Sequence, residues 1–260
     1  MPSPQHAALF DLTGRVALVT GASRGLGAAM SLGLARAGAE VILNGRDQAT
    51  LDAQAEAMRA EGLPEGVKVR TAAFDVRDLP AMEAAVAAMG PVDILLHNAG
   101  NQYRGPVETL TEEGWASVLD THLTALFRLS KLIVPGMKER RRGKVIATGS
   151  LASDLGRGTI TPYASAKGGL KMFIRALAVE LGPYNIQCNA IGPGWFDTEM
   201  NRPLLDNPEW LATVKRRCPA GRYAAAEEIA GTAVFLASPA SDFVSGQLIF
   251  VDGGVTANMM

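Results

Sequence analysis

"RVALVTGASRGLG", residues 15–27, decides the fold. An apolar run of strand length passes into a turn with glycines at 21, 25 and 27, and alanine-rich sequence with helical spacing follows. Glycine suits such a turn because the backbone bends sharply and then lies close to a partner with no Cβ in the way. Where a turn of this kind joins the first strand to the first helix, the helix N-terminus offers free N–H groups and a partial positive charge to a pyrophosphate. A plain turn has the same composition, so its place after the first strand carries the reading.

Working outward, short apolar runs recur at EVILNG (40–45), KVRTAAFD (68–75), VDILLHN (92–98), KVIATGS (144–150), IQCNAIGP (186–193) and QLIFVDGG (247–254). The pieces between them, such as LGAAMSLGLARAG and QATLDAQAEAMRAEG, carry apolar residues at helical spacing and end in glycine, a common helix C-terminus. This alternation predicts an α/β fold: a Rossmann-type doubly wound sheet of about seven parallel strands with helices on both faces, in one domain spanning 1–260. Ligands in such sheets sit at the carboxyl ends of the strands. Residues 195–224 depart longest from the alternation and read as a substrate lid, with a pair of surface helices as the rival reading.

Lysine plus arginine total 25 against 26 for aspartate plus glutamate, so no charge excess draws the 260-residue chain to nucleic acid or an anionic membrane. A small-molecule partner is expected. Cys188 and Cys218 lack CxxC spacing, which gives no support to a disulfide framework or a metal site. No basic leader precedes the fold and no run reaches the ~18 apolar residues of a membrane span, so a cytoplasmic protein is expected.

At the cofactor end, Ser23, Arg24 and Leu26 accompany Gly21, Gly25 and Gly27 in the turn. A dinucleotide fold usually ends its second strand with an acid for the ribose hydroxyls, but here Gly45 is followed by Arg46. Arg46 and Arg24 present forked donors suited to a 2′-phosphate, so NADP(H) is preferred over NAD(H). Asp47 fits either the missing ribose acid or a helix N-cap. Asp75 and Val76 end the third strand, where the aspartate either meets the adenine edge or caps a turn. Asn98, Ala99 and Gly100 follow the fourth strand; Pro193, Gly194, Phe196 and Thr198 follow the sixth and would line the nicotinamide.

The chemical end is TPYASAKGG, residues 161–169. Tyr163 and Lys167 fall one helical turn apart on one face. Ser150 closes the fifth strand, 13 residues earlier, with Ser153 nearby at a poorer spacing. A free tyrosine titrates near ~10, and a neighbouring ammonium is expected to favour its phenolate. Read alone, the pair also fits a solvated helix face.

With the glycine turn, Asn98-Ala99-Gly100, Ser150 and the Tyr163/Lys167 pair in order, the chain resembles the short-chain dehydrogenase/reductase family over its full length. The resemblance implies that Tyr163 exchanges a proton with the substrate oxygen, Ser150 orients that oxygen, and Lys167 supports the tyrosine and holds the nicotinamide ribose. It also implies a homotetramer, with contacts through LTALFRLSKLIVPGM and LKMFIRALAVEL. The sequence departs from the family pattern at two places: His122 stands where an asparagine usually relays protons to the lysine, and His97 replaces the first asparagine of the usual NNAG. Imidazole donates and accepts, so His122 fits a relay, and a packing role fits equally.

LFDLTGRVALVTGASRGLG, VILNGRD, NAGNQYRGPV, DLGRGTITPYASAKGGLKM and NIQCNAIGPGWFDTEM look most like the gluconate 5-dehydrogenase group of that family, which interconverts gluconate and 5-ketogluconate. Arg104 and Arg157 are the candidates to pair with a substrate carboxylate. Three readings fit the sequence: a sugar-acid or polyol dehydrogenase, a reductase of another ketone such as a 3-oxoacyl thioester with Lys215, Arg216 and Arg217 as a docking patch, and a non-catalytic dinucleotide-binding regulator.

Overall fold

The computed structural model describes residues 8–199 and 207–258. All seven expected strands form: β1 (Val16–Val19), β2 (Glu40–Gly45), β3 (Val69–Ala73), β4 (Ile94–His97), β5 (Gly143–Thr148), β6 (Ile186–Pro193) and β7 (Leu248–Val251). They make one sheet in the order β3-β2-β1-β4-β5-β6-β7, every pair parallel. The order reverses between β1 and β4, which opens a crevice at their carboxyl ends.

The central strands are mostly apolar because both faces are covered. Ala17, Val19, Val41, Leu43, Ile94, Leu96 and Ile146 point into one core, while the intervening Leu18, Ile42, Leu95, Val145 and Ala147 point into the other. The first core packs beneath α1 (Gly25–Arg36) and the late helix Ala230–Ala237, which approach so closely that a Cβ on Gly33 would lie 2.8 Å from that of Ala230. α2 (Gln48–Ala60) packs on the same core. α3 (Leu79–Met89), a helix over Ala125–Arg140 and one over Thr161–Leu181 cover the second.

Between β4 and β5 the chain forms α4 (Glu112–Leu119), a π-helical turn (Asp120–Thr124) and α5 (Ala125–Arg140) in succession. The π turn interrupts an otherwise continuous helical run from Glu112 to Arg140. It is a single wide turn of the kind that concentrates at functional sites. α6 is Thr161–Leu181, α7 is Pro208–Arg217 and α8 is Ala230–Ala237.

The expected lid, 195–224, leaves β6 and returns to a parallel bridge between Phe196 and Ala224, with Asp197 N–H donating to the Ala224 carbonyl at 2.8 Å. Residues 200–206 of that segment lie outside the described residues. No helix among the described residues is long and apolar enough to cross a membrane. Cys188 and Cys218 are buried free thiols, and burial pushes Cys188 up to about 12.

Candidate active site

A cleft of about 1160 Å³ runs along the carboxyl ends of the strands. At one end lie Gly21, Ser23, Arg24, Gly25 and Leu26 of the glycine turn. Gly27 lies beneath it and admits no side chain: a Cβ there would stand 2.1 Å from the Gly21 carbonyl oxygen and 2.6 Å from Asn98 Nδ2. Gly21 and Gly25 have φ of +62° and +56°, the left-handed region. α1 opens without a side-chain cap and without an acid in its first turn, so its positive end is left for an anion. This cradle fits a dinucleotide pyrophosphate.

Arg46, Asp75 and Val76 line the same end. Asp47 does not, because its carboxylate caps α2, accepting from Thr50 N–H at 2.8 Å and from the Thr50 hydroxyl at 2.5 Å. Its carboxylate is thereby engaged at the helix N-terminus, and Arg46 rather than Asp47 lines the cleft. Asp75 accepts from the Arg77 backbone N–H at 2.9 Å and from its guanidinium at 2.7 and 3.1 Å. Arg77 above all, with a smaller pull from Arg46, holds the Asp75 carboxyl below the usual carboxylate range. Arg24 meets Glu199 across the mouth at 3.3 Å, with both side chains exposed.

Asn98, Ala99 and Gly100 line the cleft, as do Pro193, Gly194, Phe196 and Thr198. One hydroxyl organises the first group: Thr20 Oγ1 accepts from Asn98 N–H and Ala99 N–H, each at 3.0 Å, and lies 3.0 Å from His97 Nδ1. Its single hydrogen then goes to Nδ1, which leaves the His97 proton on Nε2, 3.1 Å from the Thr121 carbonyl. His97 is thus a neutral strap from β1 to the π turn. Burial first, and the Lys167 charge second, lower its pKa to about 4.

Ser150, Tyr163, Lys167 and His122 converge on the cleft. Ser153 Oγ accepts from Ser150 N–H at 3.2 Å, while Ser150 Oγ accepts from Ala152 N–H at 3.1 Å and keeps its hydrogen for another partner. Lys167 Nζ donates to the Thr148 carbonyl at 2.5 Å and lies 5.5 Å from the centre of the Tyr163 ring. His122 Nε2 lies 2.9 Å from the Asn101 carbonyl, and its Nδ1 is buried without a hydrogen-bond partner.

The electrostatics differ from the sequence expectation that Lys167 pulls the tyrosine down. Burial pushes the Tyr163 phenol above its ordinary value of 10.0, opposed by Ser150 hydrogen bonding and the Arg104 charge. Burial lowers Lys167 to about 7, so near neutrality much of the ammonium charge is gone. Desolvation, set by everything packed around both groups, is the leading cause of each shift.

Arg104 and Arg157 line the far end with Trp195, Trp210 and Tyr223. Arg104 Nε bonds Gln102 Oε1. The aromatic residues of this wall lie in the expected lid, but no spacing in the sequence brings them to Arg157. Asn101 and Thr20 were equally without a signal. Of the basic patch at 215–217, which forms the last turn of α7, only Arg217 reaches the cleft.

The family model described as enoyl-(acyl carrier protein) reductase matches residues 21–256. The chain belongs to the short-chain dehydrogenase/reductase family. It is 43% identical over 258 residues to a gluconate 5-dehydrogenase of Gluconobacter oxydans, covering 98% of this chain and 99% of that one. A crystal structure of a gluconate 5-dehydrogenase from Burkholderia cenocepacia in complex with NADP and tartrate superimposes with a TM-score of 0.92 at 38% identity, covering 98% of this chain and all of that one. A 3-oxoacyl-[acyl-carrier-protein] reductase of Escherichia coli is 35% identical over 250 residues, 95% of this chain and 99% of that one.

Proposed function

We propose that this protein is an NADP(H)-dependent oxidoreductase that interconverts a secondary alcohol and a ketone on a sugar acid, of the gluconate/5-ketogluconate type. The observation that carries the reading is one cleft holding the glycine cradle, the Ser150/Tyr163/Lys167 cluster and, beyond it, Arg104 and Arg157. The similarity to gluconate 5-dehydrogenases supports it.

Gly21, Ser23, Arg24, Gly25 and Leu26 would hold the pyrophosphate, Arg46 and Arg24 the 2′-phosphate, Asp75 and Val76 the adenine, and Asn98, Ala99, Gly100, Pro193, Gly194, Phe196 and Thr198 the nicotinamide half. When bound, the cofactor supplies the hydride acceptor or donor and, in its oxidised form, a positive ring charge. Tyr163 gives its phenolic proton to the ketone oxygen during reduction and takes the hydroxyl proton during oxidation. Its raised pKa keeps the proton in place at neutral pH, which is the form ketone reduction needs. Ser150 donates to the same substrate oxygen and orients it. Lys167, fixed by the Thr148 carbonyl, has N–H groups left for the nicotinamide ribose. His122, with a free nitrogen beside Tyr163, acts in returning protons to this cluster. Residues 195–199 and 207–224 would close over the substrate as a lid.

A homotetramer accompanies this reading, formed through α5 and α6, where apolar Phe127, Met172 and Val179 are 51%, 58% and 81% exposed. A cytoplasmic location accompanies it too, since the enzyme would draw on the NADPH pool there. Reduction of a 3-oxoacyl thioester is the second reading, favoured by the exposed Lys215 and Arg216 beside Arg217. The test is NADPH oxidation across 5-ketogluconate, neutral keto sugars and an acetoacetyl thioester. The sugar-acid reading expects the highest kcat/KM on 5-ketogluconate. A preference for the thioester would replace it, and no turnover of any ketone would favour a non-catalytic dinucleotide binder.

A further inference from the structure

Arg157 sits on an open loop. A Cβ built on Gly156 or Gly158, its two neighbours, would meet nothing within 4 Å. Thr159, two residues on, has a φ of +66°, and its carbonyl accepts from Gly105 N–H at 3.1 Å, which ties this loop to the one carrying Arg104. Neither arginine pairs with a carboxylate among the described residues. A long side chain on such a loop has many rotamers, and its guanidinium stays in one place only if something holds it.

Trp210 does so. The Arg157 guanidinium carbon lies 4.9 Å from the centre of the Trp210 ring, a cation–π contact. The indole is itself immobilised twice. Its Nε1–H donates to the Tyr223 hydroxyl at 2.8 Å, and its ring meets Trp195 edge to face with centroids 6.4 Å apart. Trp210 belongs to α7 and Trp195 and Tyr223 to the two arms of the same excursion, so the contact joins the 195–224 segment to the loop that follows Ser150. Arg104 places a second positive charge close enough to push on Arg157.

We propose that Trp210 is a positioning residue for carboxylate recognition: its ring face, locked by Tyr223, holds the Arg157 guanidinium at the cleft wall beside Arg104. Selection of a sugar acid over a neutral sugar of the same length then depends on the lid helix and on Arg157 together. This rests on the sugar-acid reading above.

The test is the ratio of KM values for 5-ketogluconate and neutral fructose in full-length enzyme. Trp210→Leu, which keeps apolar volume and removes the π face, raises that ratio about tenfold, with kcat and NADPH affinity little changed. Trp210→Phe retains most of the selectivity and guards against a folding defect, and Tyr223→Phe falls between. In an Arg157→Ala background Trp210→Leu adds nothing further. The proposal is overturned if Trp210→Leu raises both KM values equally, or if its effect persists without Arg157. If Arg157→Ala and Arg104→Ala both leave the ratio unchanged, the carboxylate reading itself has failed, a result separable from the first two.

Discussion

His122 meets the ring of Tyr163 edge to face, with centroids 5.2 Å apart and planes at 87°. The imidazole reaches that position from the π turn, whose Thr121 carbonyl is held by His97. Burial keeps His122 well below its ordinary pKa of 6.5, so it is neutral through the physiological range. His122→Leu is expected to lower kcat about tenfold or more with NADPH binding intact, and His122→Asn to recover most of it. Full kcat in the leucine variant would reduce His122 to packing. Tyr163→Phe, by contrast, is expected to abolish turnover while the cofactor still binds.

Acid stability follows from His97, the buried imidazole that holds the Thr121 carbonyl. His97 titrates at about 4 when folded against an ordinary 6.5, so between these values the unfolded chain binds more protons and stability rises with pH. As pH falls from 6.5 to 4, the buried neutral imidazole costs up to about 3 kcal/mol. Urea midpoints of wild type and His97→Asn across this window should diverge, the wild type losing more. Parallel curves would mean that His97 is solvated.

Lys167 offers a calorimetric signature. Its folded pKa of about 7 leaves it mostly neutral at pH 8, and a ribose hydroxyl and an anionic dinucleotide beside it favour the ammonium form. Binding of NADPH at pH 8 should therefore take up close to one proton at this side chain, read from titrations in buffers of different ionisation enthalpy. Lys167→Met should abolish the uptake, and buffer-independent heats in the wild type would contradict it.

Arg46 and Asp47 are neighbours with separate tasks. Arg46→Ala is expected to weaken NADPH at least tenfold more than NADH, the loss of one charge-assisted phosphate contact of about 1.5–3 kcal/mol. Asp47→Ala removes the cap on Thr50 and should lower Tm while leaving the NADPH-to-NADH ratio unchanged. Equal losses for both dinucleotides in the arginine variant would remove it from the phosphate role.

The periodicity of the chain determined the sheet, its parallel strands and its covered faces, because side-chain direction alternates every residue in a strand and repeats every turn in a helix. It also determined that Tyr163 and Lys167 share a face and that glycine occupies 21, 25 and 27, both consequences of local geometry. Only the tertiary structure decided the rest. Whether Asp47 caps a helix or faces a ribose depended on where Thr50 stood. The joint role of His97 and the π turn required β1, β4 and the turn to meet. Arg157 and Trp210, far apart in the chain, touch through the return of the 195–224 segment. The charge state of the Tyr163/Lys167 pair turned on desolvation, and desolvation sums the packing of residues from many elements, which no spacing along one helix encodes.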